Sequence, residues 1–388
     1  MSDVDDGVTV LGLIRNDTDI PASSIEVRVS LGLRSTNLID QQMTILPISL
    51  LQPSEEFPFT LAFPDTAQAD QVEIIVMDYQ SSAETDIKLE VEISGVGRTE
   101  SGQFAILGWL SNPHSSSAQI HNSLLVYSDP ETDILTFKSP DLHPSTIPPS
   151  QKVPFMTILE QDPTELSITP YFDATALDPL GNLSISFPQR ATIAVDSQGN
   201  PLLVGSIRNE GTLPRWLSCI VALQSQDQLV SLSQLAPPIP LTAGEIRAYG
   251  LTHFPGWRTH FIENELKVED IHSDFFCDPL AYAEFSGQIF TLDSEVVGFE
   301  VTGSSLIIRG EVYNRTSHPL SNAVIQADLR SVDGTIQTSN FILLDEMLEI
   351  GSTSTFILPV RLPEGSLLSK LEIDVRANAL LLESDLDF

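Results

Sequence analysis

Basic residues are scarce in this sequence. Lysine and arginine together number 19 against 53 aspartates and glutamates, lysine supplies five of the 19, and the formal net charge is −34 over 388 residues. Phosphate binding needs a basic footprint, so the composition argues against nucleic acid as a partner and against an anionic membrane surface. The acidic excess favours solubility and tolerance of salt and divalent ions. It calls for no cofactor, with calcium at module junctions the only one it suggests. No stretch is long and apolar enough to cross a bilayer, and the start, Met1-Ser2-Asp3-Val4-Asp5-Asp6, does not read as a signal peptide. That start fits either a cytosolic chain or a mature, trimmed one. Two cysteines are present, Cys219 and Cys277, 58 residues apart. They are compatible with a cross-sandwich disulfide or with two unpaired thiols, the latter expected first. Enzyme signatures are missing too: there is no G-x-S-x-G, no phosphate-binding G-x-x-x-x-G-K and no G-x-G-x-x-G, since Gly95-Val96-Gly97 stops after two glycines. A hydrophobic period near 3.6 is not sustained anywhere.

What is present is a repeat. The pattern G-x-x-x-N falls inside an apolar run four times, at Gly12 and Asn16, Gly108 and Asn112, Gly205 and Asn209, and Gly310 and Asn314, with steps of 96, 97 and 105 residues. Pro21, Pro214 and Pro319 follow the Asn by five residues, and in the second copy Pro113 follows directly. Asn tolerates left-handed backbone and bonds its own main chain, and Pro cannot donate to a ladder, so the pair ends one strand and places the next. An apolar group comes about forty residues later in each copy: Phe57 and Phe59, Val153 and Phe155, Tyr249 and Leu251, Phe356 to Leu358. Alternating segments then follow at Val72, Ile74 and Val76, at Leu166 and Ile168, at Leu266 and Val268, and at Leu371, Ile373 and Val375. Period-two alternation marks half-buried strands.

About seven strands per hundred residues, separated by Pro, Ser, Asn and Gly clusters, is the expectation for an immunoglobulin-like sandwich. The fold class expected is therefore all-β: four tandem immunoglobulin-like β-sandwich domains in an elongated, semi-rigid array. The boundaries fall at residues 1–82, 83–178, 179–282 and 283–388, where the pattern lapses.

Residues 306–362, with IIRGEVYNRTSHPLSNAVIQADLRSVDG and the later STSTFILPV, resemble the FxLYD-type immunoglobulin-like domains of bacteria and archaea. That pattern also runs strand, Gly, Asn turn, long strand, Asp-Gly hairpin and apolar strand. Copies one to three keep the Gly and Asn without the Asp-Gly hairpin. The resemblance implies an extracellular or envelope location and a structural or binding role without catalysis. Fold alone does not fix function.

Copy three carries a cluster the others lack: His253, Trp257, His260, Asp270, His272, Asp274, Cys277 and Asp278. Such a set offers ligands for zinc or copper, but tight C-x-x-C or H-E-x-x-H spacing is missing, so no metal site is assigned. His253, Trp257, His260 and His272 are instead a candidate binding loop or a plain structural insertion. Asp3, Asp5, Asp6 and Gly7 resemble a calcium loop without its distal Glu. Sequons stand at Asn16, Asn182 and Asn314, two of them on the repeat's own Asn, which turn geometry explains before glycosylation does.

One asymmetry concerns assembly. Extra strand-like segments precede copies two, three and four at residues 89–94, 191–195 and 296–301, whereas copy one has only a stub around Val4. Superposing Leu371 on Val72 carries the end of the chain onto residues 86–89, where copy two's leading strand begins. The tail Leu380, Leu381, Leu382, Leu386 and Phe388 is therefore a candidate donor strand for copy one of another molecule, giving head-to-tail filaments. The alternatives are a cut at a repeat boundary of a longer protein, or a copy one that manages with a short edge. The expected role is a non-enzymatic structural, adhesive or filament protein of the cell surface, with protein partners or its own copies. A ligand-binding module for carbohydrate or metal centred on copy three, and a cytosolic acidic scaffold, are the alternatives.

Overall fold

The computed structural model describes residues 7–33, 36–64, 66, 69–82, 87–128, 135–178, 183–259, 266–280 and 282–382. Its elements are strands joined by turns and short 3-10 segments, and no described helix is long and apolar enough to cross a membrane. Contacts divide the chain into two compact units, one of Met1–Ile93 with Gly108–Leu180 and one of Ser94–Leu107 with Gly181–Phe388.

In the first unit, copy one supplies β1 (Val8–Arg15), β2 (Ala22–Leu33), β3 (Thr36–Ile45), β4 (Glu56–Phe63) and β5 (Gln71–Ser81). These form a β1-β4 pair and a β3-β2-β5 sheet. The alternation of Val27, Val29 and Leu31 puts all three fully into a core shared with Val10, Phe57, Phe59 and Phe63. Copy two, of which Ser94–Leu107 belong to the second unit, supplies β6 (Glu90–Arg98), β7 (Phe104–Ser111), β8 (Ser117–Ser128), β9 (Leu135–Lys138), β10 (Thr146–Ile147), β11 (Lys152–Leu159) and β12 (Ser167–Leu177). Its sheets run β11-β7-β6 and β10-β8-β12, with β9 also on β8. Inside this unit the two copies are joined by polar bonds: Asp173 accepts from the Ser49 N–H at 2.6 Å, and the Asn122 amide donates to the Pro47 carbonyl at 2.5 Å. Burial is the largest influence on the Asp173 carboxyl and pushes its pKa up, against the Ser49 hydrogen bond and the His121 charge, which pull it down.

In the second unit, copy three supplies β13 (Ile185–Ser186), β14 (Thr192–Val195), β15 (Pro201–Asn209), β16 (Cys219–Ser225), β17 (Gln228–Leu235), β18 (Ile246–Leu251) and β19 (His272–Cys277). β15 is flanked by β13 and β14 on one side and β18 on the other, and the second sheet runs β17-β16-β19. Copy four supplies β20 (Gly287–Thr302), β21 (Ser305–Tyr313), β22 (Ser321–Ser331), β23 (Ile336–Leu344), β24 (Thr353–Arg361) and β25 (Leu371–Leu382). Its strands form one continuous order, β23-β22-β25-β20-β21-β24. The long β20 makes this possible: Gly287 to Leu292 pair with β25, and from Asp293 the strand crosses to pair with β21.

Copies three and four meet within this unit through a dry and a polar layer. Leu202, Val204, Ala248 and Ile336 share one cluster, and Ile239, Val324 and Leu380 another. The Gln189 amide holds Ile336 like a strand residue, accepting its N–H at 2.9 Å and donating to its carbonyl at 3.0 Å. Gly250 sits so close that an added Cβ would lie 2.0 Å from the Ser339 carbonyl oxygen, which leaves room for nothing larger.

Three sequence expectations change. Val268 lies in the 3-10 turn Val268–Asp270, and copy three's last strand starts only at His272. The chain between the aromatic of β18 and that strand is longer than in copy four, 22 residues from Tyr249 to Ile271 against 15 from Phe356 to Leu371, so the phase slips. Cys219 and Cys277 are bonded to each other, as register partners on neighbouring strands β16 and β19 within one sheet and not across the sandwich. Finally, Val27 and Ile325 each stand 11 residues after the repeat Asn and face Val76 and Ala377, so Val76 corresponds to Ala377. Counting 11 further from each brings Phe388 onto Ile87, two residues short of the register read from the sequence.

Candidate functional site: the repeat signature and an open flank on copy one

The repeat's Gly and Asn have structural work in all four copies. Each Gly faces an aromatic ring on the partner strand: Gly12 and Phe59, Gly205 and Tyr249, Gly310 and Phe356 are register partners, and Gly108 lies under Phe155. A Cβ at Gly12 would come within 2.7 Å of the Phe59 ring, and at Gly108, Gly205 and Gly310 within 2.4 Å of the facing aromatic side chain. Glycine is what lets the ring lie across the strand. Each Asn is buried, and its amide spans two chain segments. Asn16 donates to the Ile20 and Leu51 carbonyls, Asn112 to Ser116 and Ile147, Asn209 to Leu213 and Leu241, and Asn314 to His318 and Leu348, all between 2.7 and 3.1 Å. The Asn oxygen accepts from the N–H two residues on, at Thr18, His114, Gly211 and Thr316. In this conformation the amide nitrogens of Asn16 and Asn314 are committed to two carbonyls each, so both sequons are occupied by turn geometry. Asn182 lies outside the described residues.

The four copies differ on the flank where a leading strand belongs. In copies two and four the Gly is closed over by main chain, an added Cβ standing 2.6 Å from the Glu92 carbonyl oxygen at Gly108 and 2.4 Å from that of Glu295 at Gly310. At Gly12 the nearest atoms are the Phe59 ring and the Ile74 Cδ1, the latter at 3.4 Å. Among the described residues β1 pairs only with β4, and β5 only with β2. The Gly12–Ile74 approach also shows that β1 and β5 face each other across the core on one flank. Residues directly opposite in a ladder share a face, so Val72, Ile74 and Val76, opposite Leu31, Val29 and Val27, point toward the core. They are nevertheless 51%, 42% and 47% exposed. In copy four the corresponding row packs against the core, Ala377 being 1% exposed and Ile373 and Val375 partly buried, with Leu292 of β20 beside them at 5%. Among the described residues, copy one thus has an apolar slot between two strand edges without a second neighbour.

The sequence-derived tail occupies a different place. Leu380, Leu381 and Leu382 are ladder partners of Ile289, Gln288 and Gly287 in their own copy, and Leu380 and Leu381 are buried. They are not a free donor segment. Leu386 and Phe388 lie outside the described residues.

The copy-three residues do not converge. Trp257 is a core residue, 2% exposed, with its indole N–H donating to the Gly199 carbonyl at 3.2 Å, so it anchors the insertion and is not displayed for recognition. His253 lines a cleft of about 220 Å³ together with Pro237, Arg247, Gln326 and Phe341. His272 lines a separate groove of about 840 Å³ with Phe187, Arg190, Ile193 and Phe275. His260 is outside the described residues. Among the described residues no three His, Cys, Asp or Glu side chains gather as a metal-binding group.

No family model matches the chain, and no curated protein does. The FxLYD-type resemblance therefore rests on the residues quoted for it. A solved structure, the native conformation of E. coli alpha-2-macroglobulin, aligns over 95% of this chain at 10% identity with a TM-score of 0.15, and the chain spans 28% of that one. At that score the likeness carries no argument about fold or function. What the sequence did not reveal is that β5's core row is left exposed, because alternation looks the same whether or not a neighbour covers it.

Proposed function

We propose that this protein is a non-enzymatic structural or adhesive component of the cell surface or envelope, built from four immunoglobulin-like sandwiches, whose copy one takes up a β-strand from another molecule. The observation that carries the reading is the exposed core-facing row Val72, Ile74 and Val76 between the edges of β1 and β5, which have no second neighbour among the described residues. Strand addition supplies main-chain hydrogen bonds for affinity and pockets for alternate side chains for specificity. Copy four offers the template, since its β20 fills the same flank by pairing with β25 and then with β21. The repeated Asn staple supports four equivalent modules, and the FxLYD-type resemblance supports the surface location. A disulfide within copy three favours an oxidising compartment.

The test is a labelled synthetic peptide of residues 287–302 titrated into the purified chain. Saturable binding lost in Val76→Asp supports the reading, and absence of binding at dilutions where the chain is monomeric contradicts it. The ligand-binding alternative is favoured by one observation, the 840 Å³ groove edged by Phe187 and Phe275, whose rings lie 4.4 Å apart.

A further inference from the structure

We propose that the strand copy one takes up is its own counterpart: two chains pair about a two-fold axis, β5 against the partner's β5 and β1 against the partner's β1. This rests on the strand-acceptor reading above and names the partner. An axis normal to the sheets brings both edges of one flank against their own copies at once, and isologous two-fold contacts are the commonest closed assembly.

Three features support the choice. The core row of β5 is symmetric about Ile74, so antiparallel pairing with Ile74 opposite the partner's Ile74 sets Val72 opposite the partner's Val76. Every core-facing residue then meets a core-facing one, without a bulge. Second, neither edge carries lysine or proline: β1 reads VTVLGLIR and β5 QVEIIVMDYQS, and their charges, Arg15 on β1 and Glu73 and Asp78 on β5, stand outside the core-facing row Val72, Ile74 and Val76. The outer face of β5 carries Ile75 beside Glu73, and at Met77, 44% exposed, the strand bulges against β2. Third, Leu380 and Leu381 are held in their own ladder and are not free to act as a donor.

The dimer is tested by sedimentation equilibrium of the full chain over a wide concentration range, at 0.15 M salt or above to screen the −34 charge. The variant Ile74→Cys adds a direct probe, since Cys219 and Cys277 are bonded to each other and the new thiol stands alone. The expected results are twice the monomer mass, a homodisulfide of Ile74→Cys under mild oxidation, and at least about tenfold weaker association in Val76→Asp, the magnitude expected when a charge is forced into an apolar contact. Because Val76 is half exposed in the single chain, that variant is expected to fold. A monomer at every concentration, masses growing beyond two, or a dimer indifferent to Val76→Asp would each overturn the proposal. The peptide of residues 287–302 separates the two readings. If it binds a chain that stays monomeric, the dimer falls and strand acceptance stands, whereas a monomer that binds no peptide ends both.

Discussion

Copies one and four carry the same repeat signature and the same staple, yet one is closed and the other is not. Asn16 and Asn314 make matching bonds to carbonyls four and about thirty-five residues on. Gly12 and Gly310 lie under Phe59 and Phe356. The difference is one strand: β20 runs along both sheets of copy four, whereas β1 and β5 of copy one each lack a second neighbour among the described residues. The module's internal wiring is therefore independent of its leading strand, which in copy four pairs with residues 377–382 of the last strand, where β5 of copy one has no described counterpart.

The largest effect expected from this contrast comes from placing a charge at the same register position in the two copies. Ala377→Asp puts an unpaired carboxylate where the side chain is 1% exposed and is expected to cost at least about 3 kcal/mol. Val76→Asp, at a residue 47% exposed, is expected to cost under about 1 kcal/mol in the monomeric chain. Denaturant melts of both variants, followed by hydrogen exchange so that each copy is read separately, check the pair; equal costs would break the comparison.

The glycines sharpen it. Gly310→Ala drives a Cβ to 2.4 Å from the Glu295 main-chain oxygen, which cannot move without shifting β20, and an overpacking cost near about 3 kcal/mol is expected. Gly12→Ala meets only the end of the Phe59 ring at 2.7 Å, which can tilt into the open flank, for a cost nearer about 1 kcal/mol. The same exchange measurement, made at matched temperature, ranks them.

Removing the staple serves as the internal control. Asn16→Ala and Asn314→Ala each strand two carbonyl acceptors and are expected to lose about 2 kcal/mol apiece, because the networks match. A difference well beyond a kcal/mol between them would mean that the leading strand supports the turn after all.

The smallest effect is a pH dependence at the junction of copies one and two. Burial raises the folded-state pKa of Asp173 above its unfolded value, so the folded chain holds this proton more tightly. Stability from this group is thus greater below the shifted pKa and falls as pH rises through the window between the two values. Asp173→Asn should flatten that slope, as read in melting temperature between pH 4 and pH 7.

Much of the architecture was legible in the sequence because each device leaves a local mark. The Gly under an aromatic ring and the Asn before a proline are fixed by backbone geometry, so G-x-x-x-N located four turns correctly. Alternation placed β5 and β25. The misreadings have physical causes as well. The strand of copy three was placed too early because the segment around Trp257 inserts residues whose length no periodicity encodes. The cysteines were expected to bridge the sandwich, if they paired at all, whereas pairing within a sheet depends on the register of β16 and β19, a long-range property. Leu380 to Leu382 looked like a free tail because an apolar run at a chain end is indistinguishable in sequence from the last core strand it turned out to be. His253 and His272, grouped by the sequence into one candidate loop, open onto different cavities.

The most direct test of the central claim is hydrogen exchange of β5 and β25 as a function of protein concentration. An open flank on copy one predicts that residues 71–81 exchange at least about tenfold faster than residues 371–382 in the dilute chain, and gain protection as the concentration rises or peptide 287–302 is added. Equal protection of the two strands at every dilution would show the flank already closed within the single chain and would contradict the account.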